Sequence, residues 1–243
     1  MSQEIYLQSS LTPMGLKTSL GLFGAASLAL IFATKILIPF LSEVTGREPI
    51  LFWFLVAGLG IFTPLILLAI YVLDKEGNLK AGVWRERLRF RAMSKDDWFW
   101  SLGGFIAIAL GSIGISFFLK FLGYNLNLHP PFMEFQPLSS GRYWILAIWL
   151  PFWVLNIIGE EILWRGVILP CQEVKFSDRA WLVNALGWAL FHIAFGWQLW
   201  LMLLPVLLIL PYVTQRSQNL SVGVLIHGCI NGFGFLAVAF GMI

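Results

Sequence analysis

Residues 143–171 read YWILAIWLPFWVLNIIGEEILWRGVILPC. From Tyr143 to Gly159 no side chain is charged, and a helix needs about 20 mostly apolar residues to cross the hydrocarbon core of a bilayer. Glu160, Glu161 and Arg165 then arrive close together. An Asp, Lys or Arg at the centre of a span costs roughly 2.5–3.5 kcal/mol on insertion, so three ionisable groups here demand partners or a use.

Working outward, the same reading gives six further apolar runs: Gly15–Leu41, Ile50–Leu73, Trp98–Leu122, Ala180–Gly196, Gln198–Val213 and Asn219–Met242. The expectation is an all-α polytopic membrane protein, a bundle of seven transmembrane helices, or eight if the long fourth run divides. The first run is too long for a signal-peptide core and reads as a retained span. The short fifth and sixth runs read as two tilted helices with a tight turn around Gly196, or as a pair containing a re-entrant piece. No internal repeat or linker divides the chain, so residues 1–243 read as a single transmembrane domain.

Composition agrees. Apolar residues make up 58% of the 243 and charged residues 12%, about half the roughly 25% charge of an average soluble protein. That excludes a soluble domain of this size and a disordered chain. Cys171 and Cys229 both sit in apolar stretches and make no disulfide framework. A net charge of +3 argues for no nucleic-acid partner, and topology accounts for the basic residues. The connection Asp74–Asp97 holds Lys75, Lys80, Arg85, Arg87, Arg89, Arg91 and Lys95, which by the positive-inside rule makes it cytoplasmic. Seven alternating spans then put the N-terminus inside and the C-terminus outside. Lys17, Lys175, Arg179 and Arg216 fall inside; Arg47 and Arg142 fall outside, and Lys35 and Lys120 lie near outer span ends. Trp84–Arg91 reads as a cytoplasmic surface segment, and His129 as an ordinary outer-loop residue.

Polar residues inside later spans join the three on the fourth: His192 on the fifth, His227 and Asn231 on the last. Glu161 with Arg165, and His227 with Asn231, are four apart and share helix faces. Glu160, about 100° round the helix from Glu161, has no evident local partner and is expected to find one on another span. Counted from cytoplasmic ends at about 1.5 Å per residue, Glu160, His192 and His227 lie roughly 16, 18 and 12 Å deep. Three spans therefore bring polar groups to similar depth. Taken singly, each has a bland reading: a packing ion pair, a core histidine, interhelical glue. Together they point to a site.

A carboxylate beside a histidine in a dry cavity can hold a water and take its proton, and a second His with an Asn can donate to an oxyanion. Two His and a Glu can equally bind Zn²⁺ with an open position, and spacing does not decide between these. Other intramembrane hydrolases lack their signatures here. There is no His-Glu-x-x-His helix, no intramembrane Asp pair and no Gly-x-Ser-Gly; Gly111-Ser112-Ile113-Gly114 reads as small-residue helix packing.

Glu160-Glu161-x-x-x-Arg165, Trp188-x-x-x-His192 and His227-x-x-x-Asn231, in that order on late spans, resemble the CPBP (CAAX protease and bacteriocin-processing, or Abi) family. That family comprises the type II CAAX prenyl endopeptidases and bacterial relatives. The resemblance covers residues 98–243 as a catalytic core, is most specific in the last hundred residues and is looser from Trp84. Trp188 departs from the family's usual Phe, which puts substrate shape in doubt more than catalysis. The resemblance implies an intramembrane endopeptidase in which Glu160 with His192 activates water and His227 with Asn231 stabilises the oxyanion. Glu161, Arg165 and Trp188 would orient the site. It implies no cofactor, with zinc on Glu160, His192 and His227 as the alternative. It also implies a water-filled cavity open to the cytoplasmic leaflet, and a membrane-associated, prenylated or other peptide substrate in the bilayer. A bacterial cytoplasmic membrane is the expected location. The rival readings are a non-proteolytic immunity or scaffold protein retaining the fold and, more weakly, a transporter. Oligomeric state is left open.

Overall fold

The computed structural model describes residues 11–124, 126, 130–134 and 136–242; His129 lies outside them. The described residues form seven long helices and no strand. They are α1 (Leu16–Thr45), α2 (Pro49–Lys75), α3 (Lys95–Phe121), α4 (residues 144–176), α5 (Ala180–Phe191), α6 (Trp197–Ser217) and α7 (Leu220–Ala239). The chain is a multi-pass, all-α membrane protein.

Local chemistry sets the ends. Gly46, at φ 66°, closes α1, and Pro49 opens α2, where a missing N–H costs nothing. Ser94 and Asp97 form a reciprocal capping box at the start of α3, satisfying two otherwise orphaned donors. Asn219 Oδ1 accepts from the Ser221 N–H (3.0 Å) at the start of α7.

The helical run Trp144–Phe195 is 52 residues long, about 78 Å at 1.5 Å per residue and well over twice a roughly 30 Å hydrocarbon core. It contributes two passes because the chain reverses at Ser177 (φ 49°, ψ −127°). The Asn184 amide on α5 therefore reaches back to the Trp164 carbonyl (2.9 Å) and Gln172 Oε1 (3.0 Å) on α4. The fourth run itself does not divide; among the described residues there are seven long helices and six helical stretches long and apolar enough to cross a membrane, the fourth and fifth runs together making one of them. A 3₁₀ turn, His192–Phe195, extends α5, and Gly196 at φ 87° makes the tight turn into α6 that its freedom at positive φ allows.

Apolar contact between helices gains little in lipid, whose tails are as apolar as leucine, so close approach and polar contacts decide the packing. A Cβ on Gly187 of α5 would sit 2.3 Å from the Phe23 ring of α1, which stacks on Trp164 of α4. A Cβ on Gly159 would sit 2.7 Å from the Phe62 carbonyl oxygen, so α2 lies hard against the residue preceding Glu160. Gly111 meets Pro205 of α6 in the same way, and Ser112 Oγ donates to the Met202 carbonyl (3.3 Å). The small-residue reading of that stretch holds for these two positions; nothing lies within 4 Å of a Cβ on Gly114.

The basic connection between α2 and α3 is more than a solvated surface. Arg87, 3% exposed, is bidentate to Glu76 (2.7 and 2.9 Å) and donates to the carbonyls of Gly166 (3.0 Å) and Val167 (3.5 Å). Arg89 forks onto Glu173, and its carbonyl accepts from the Leu220 N–H. Arg91 reaches Asp97 and the Ser217 carbonyl. The expectation of a mere surface segment is corrected at Arg87, because its guanidinium finds carbonyl acceptors on α4. The connection clasps the ends of the helices that carry the polar residues.

Candidate active site

The helix type of α4 changes within the Glu-Glu pair. Glu160 ends the α-helical stretch and Glu161 opens a π-helical one, Glu161–Ile168, a rare geometry often found at functional positions. The two carboxylates accordingly serve different partners. Glu160, 2% exposed, accepts from Asn156 Nδ2 at Oε1 (2.7 Å) and from Trp188 Nε1 at Oε2 (2.5 Å). Glu161, fully buried, faces His227 Nδ1 on α7 (2.8 Å) and lies 3.3 Å from the Arg165 guanidinium. Gly223 on α7 admits this carboxylate, since a Cβ there would fall 2.6 Å from Oε2.

Hydrogen-bond direction then follows from the inventory of donors and acceptors. His227 Nδ1 faces a carboxylate and carries the proton. Its Nε2 therefore accepts from Asn231 Nδ2 (3.2 Å), and the same nitrogen donates to Asn156 Oδ1 (2.9 Å). One chain thus joins the two glutamates: Glu161, His227, Asn231, Asn156, Glu160. Both ends accept, so one member has to donate twice, and Asn231 uses both amide hydrogens to do so.

On α5, Trp188 meets several members at once. Its N–H holds Glu160, its face lies 3.6 Å from the Arg165 guanidinium, and its ring meets His192 and His227 edge-on. Arg165 is 1% exposed, and its Nε and both terminal nitrogens have no hydrogen-bond partner; the Glu161 charge and the Trp188 face hold it. His192, 7% exposed, donates Nδ1–H to the Trp188 carbonyl (2.9 Å), which leaves Nε2 as a free lone pair. Phe191 and Phe195 flank its ring.

The seven residues picked out from the sequence, Glu160, Glu161, Arg165, Trp188, His192, His227 and Asn231, therefore lie in one cluster. Within it the pairing differs from expectation. No hydrogen bond joins Glu160 to His192. Glu160 does have a partner on its own helix, Asn156, one turn earlier. Trp188 brings a donor to Glu160 as well as an aromatic wall, which the usual Phe lacks. Within the cluster the carboxylates and His227 bond inward. Two surface concavities, of about 340 and 610 Å³, lie elsewhere, beside Pro49 and Phe132 and beside Arg89 and Gln215.

Sequence reading passed over Asn156. Its signal in the sequence is the one Asn231 carries, an amide in an apolar span four residues from an ionisable group. Nothing in the sequence pointed to the indole bond.

Among the described residues, no group of three His, Cys, Asp or Glu side chains is placed to hold a metal ion. In this arrangement both oxygens of Glu160 and both ring nitrogens of His227 have protein partners.

Residues 142–233 match the family described as type II CAAX prenyl endopeptidase Rce1-like. No curated protein and no solved structure matches the chain. Every member of the cluster falls inside the matched segment, and over that segment the chain is similar to the Rce1-like family of CAAX-type proteases.

Proposed function

We propose that this protein is an intramembrane endopeptidase that hydrolyses a peptide bond of a membrane-associated substrate, with Glu160 as general base and no bound metal. One observation carries the reading: a buried carboxylate, Glu160, is gripped by two donors in the cluster that also holds a histidine with a free Nε2 and the His227–Asn231 pair. Burying such a group in a span is expensive, and its presence there points to a use. The family match supports proteolysis as the use.

Substrate enters from the side of His192 and Asn231; Asn231 is half-buried and the most accessible member. The scissile carbonyl carbon lies beside a water held between Glu160 and His192 Nε2. The water oxygen attacks that carbon while its proton passes to Glu160. The carbonyl π electrons move onto oxygen, and the Asn231 amide, still held to Asn156 Oδ1 through its other N–H, donates to the oxyanion with the His227 imidazole beside it. Collapse breaks the C–N bond as Glu160 returns the proton to the leaving amine. Glu161 orients His227 through Nδ1, as a carboxylate behind a histidine does. Substrate replaces the Asn231–His227 bond present at rest. The basic clasp lies on the cytoplasmic face, which puts the C-terminus outside.

The test compares membrane-associated peptides from wild-type and Glu160→Ala cells by mass spectrometry. A fragment absent only in the variant identifies both activity and substrate; identical peptide sets would refute proteolysis. Metal analysis of purified protein separates the two chemistries. Stoichiometric zinc, with cleavage lost to chelators and restored by zinc, would overturn the metal-free mechanism.

A further inference from the structure

Asn156 lies in an apolar stretch of α4, 7% exposed, and both ends of its amide are engaged. Nδ2 donates to Glu160 Oε1 (2.7 Å) and Oδ1 accepts from Asn231 Nδ2 (2.9 Å). This orientation is the one the surroundings permit. Turned over, the amide would set oxygen against the Glu160 carboxylate and nitrogen against an Asn231 nitrogen that already donates to His227. An amide is also the right group for this place: a hydroxyl is too short to span both partners, and a carboxylate would repel Glu160.

We propose that Asn156 is a positioning residue that fixes the distance and orientation between Glu160 and the Asn231–His227 pair. The inference rests on the catalytic reading of those two groups. The geometry explains why it is needed. Glu160 sits on α4, and Asn231 on α7, with no hydrogen bond between them; Asn156 links them through two bonds. Base and oxyanion donor act on opposite sides of one carbonyl, so their separation has to be held, and a displacement of about 1 Å can cost on the order of 100-fold in rate.

The test has two arms. In the first, isotope-edited infrared spectroscopy of the purified protein follows the Glu160 carboxylate stretch, assigned by its loss in Glu160→Gln. Asn156→Ala is expected to shift that band, because it removes the Oε1 donor; an unmoved band overturns the proposal. Should Asn156→Ala fail to fold, Asn156→Asp keeps the volume, replaces the donor by an acceptor, and is read by the same band with the same two outcomes. In the second arm, an internally quenched farnesylated peptide reports cleavage in nanodiscs. Asn156→Ala is expected to lower kcat by about 10- to 100-fold with KM within about threefold, and the double variant with Asn231→Ala should lose less than the product of the single losses. Strictly multiplicative losses, or a change confined to KM, count against positioning. A shifted band in a protein that cleaves no peptide keeps the link between Asn156 and Glu160 and defeats the protease reading alone, so the two failures are distinguishable.

Discussion

Two arginines in this molecule are almost equally buried and live in opposite ways. Arg87 is 3% exposed and Arg165 is 1% exposed, and both touch the π-helical stretch of α4. Arg87 spends its donors on Glu76 and on two carbonyls of that stretch. Arg165 has no hydrogen-bond partner; it has a carboxylate at 3.3 Å and an indole face at 3.6 Å. A satisfied polar network rigidifies the structure that carries it. Buried polar groups left unsatisfied are uncommon and call for an explanation, of which a strained or catalytic role is one. The clasp is accordingly read as the part that holds, and the intramembrane cluster as the part that works.

That contrast can be broken experimentally. Arg87→Met should have the largest effect on stability, about 3 kcal/mol, because it strands Glu76 and two carbonyls. Unfolding in denaturant should register this, while turnover per folded molecule stays near wild type. A turnover loss as large as that of a cluster variant would erase the distinction. Trp188→Phe should come next, at about 1–3 kcal/mol, since it leaves Oε2 of a buried carboxylate without its donor but keeps a ring face for Arg165. Thermal unfolding checks the magnitude; an unchanged midpoint would mean the indole bond is not maintained. Arg165→Lys should cost least stability, about 1 kcal/mol, because a compact ammonium gives up the planar stacking. It should nevertheless lower cleavage by at least about 10-fold, measured on the same preparation. Turnover that tracked stability across all three variants would show no division of labour between the two regions.

Much of the fold was legible because lipid imposes a coarse rule, and each apolar run of sufficient length became a helix. The ends moved by a few residues: α4 continues past Cys171 to Phe176, and α1 continues past Leu41 to Thr45. Caps and turns set those limits, not hydropathy. The cluster was legible for the same reason, since a polar residue in a span has few reasons to be there. The connections inside it were not. Helical spacing says which residues share a face, not that the helix widens at Glu161. It cannot say that an indole from α5 reaches Glu160, nor that Asn156 closes the chain between the glutamates. Arg87 reads as a surface residue in the sequence because its carbonyl acceptors come from α4, far away along the chain.

The central claim is that Glu160 performs the chemistry and is not a packing group, and one measurement addresses it directly. Purified Glu160→Gln and wild-type protein are compared for cleavage of the same prenylated peptide in nanodiscs, with thermal unfolding recorded on both. Glutamine keeps the shape and the bond from Trp188 but cannot take a proton. The account predicts a fold retained within about 1–2 kcal/mol and a cleavage rate lowered by at least about 100-fold. Cleavage at the wild-type rate by a folded Glu160→Gln protein would contradict it.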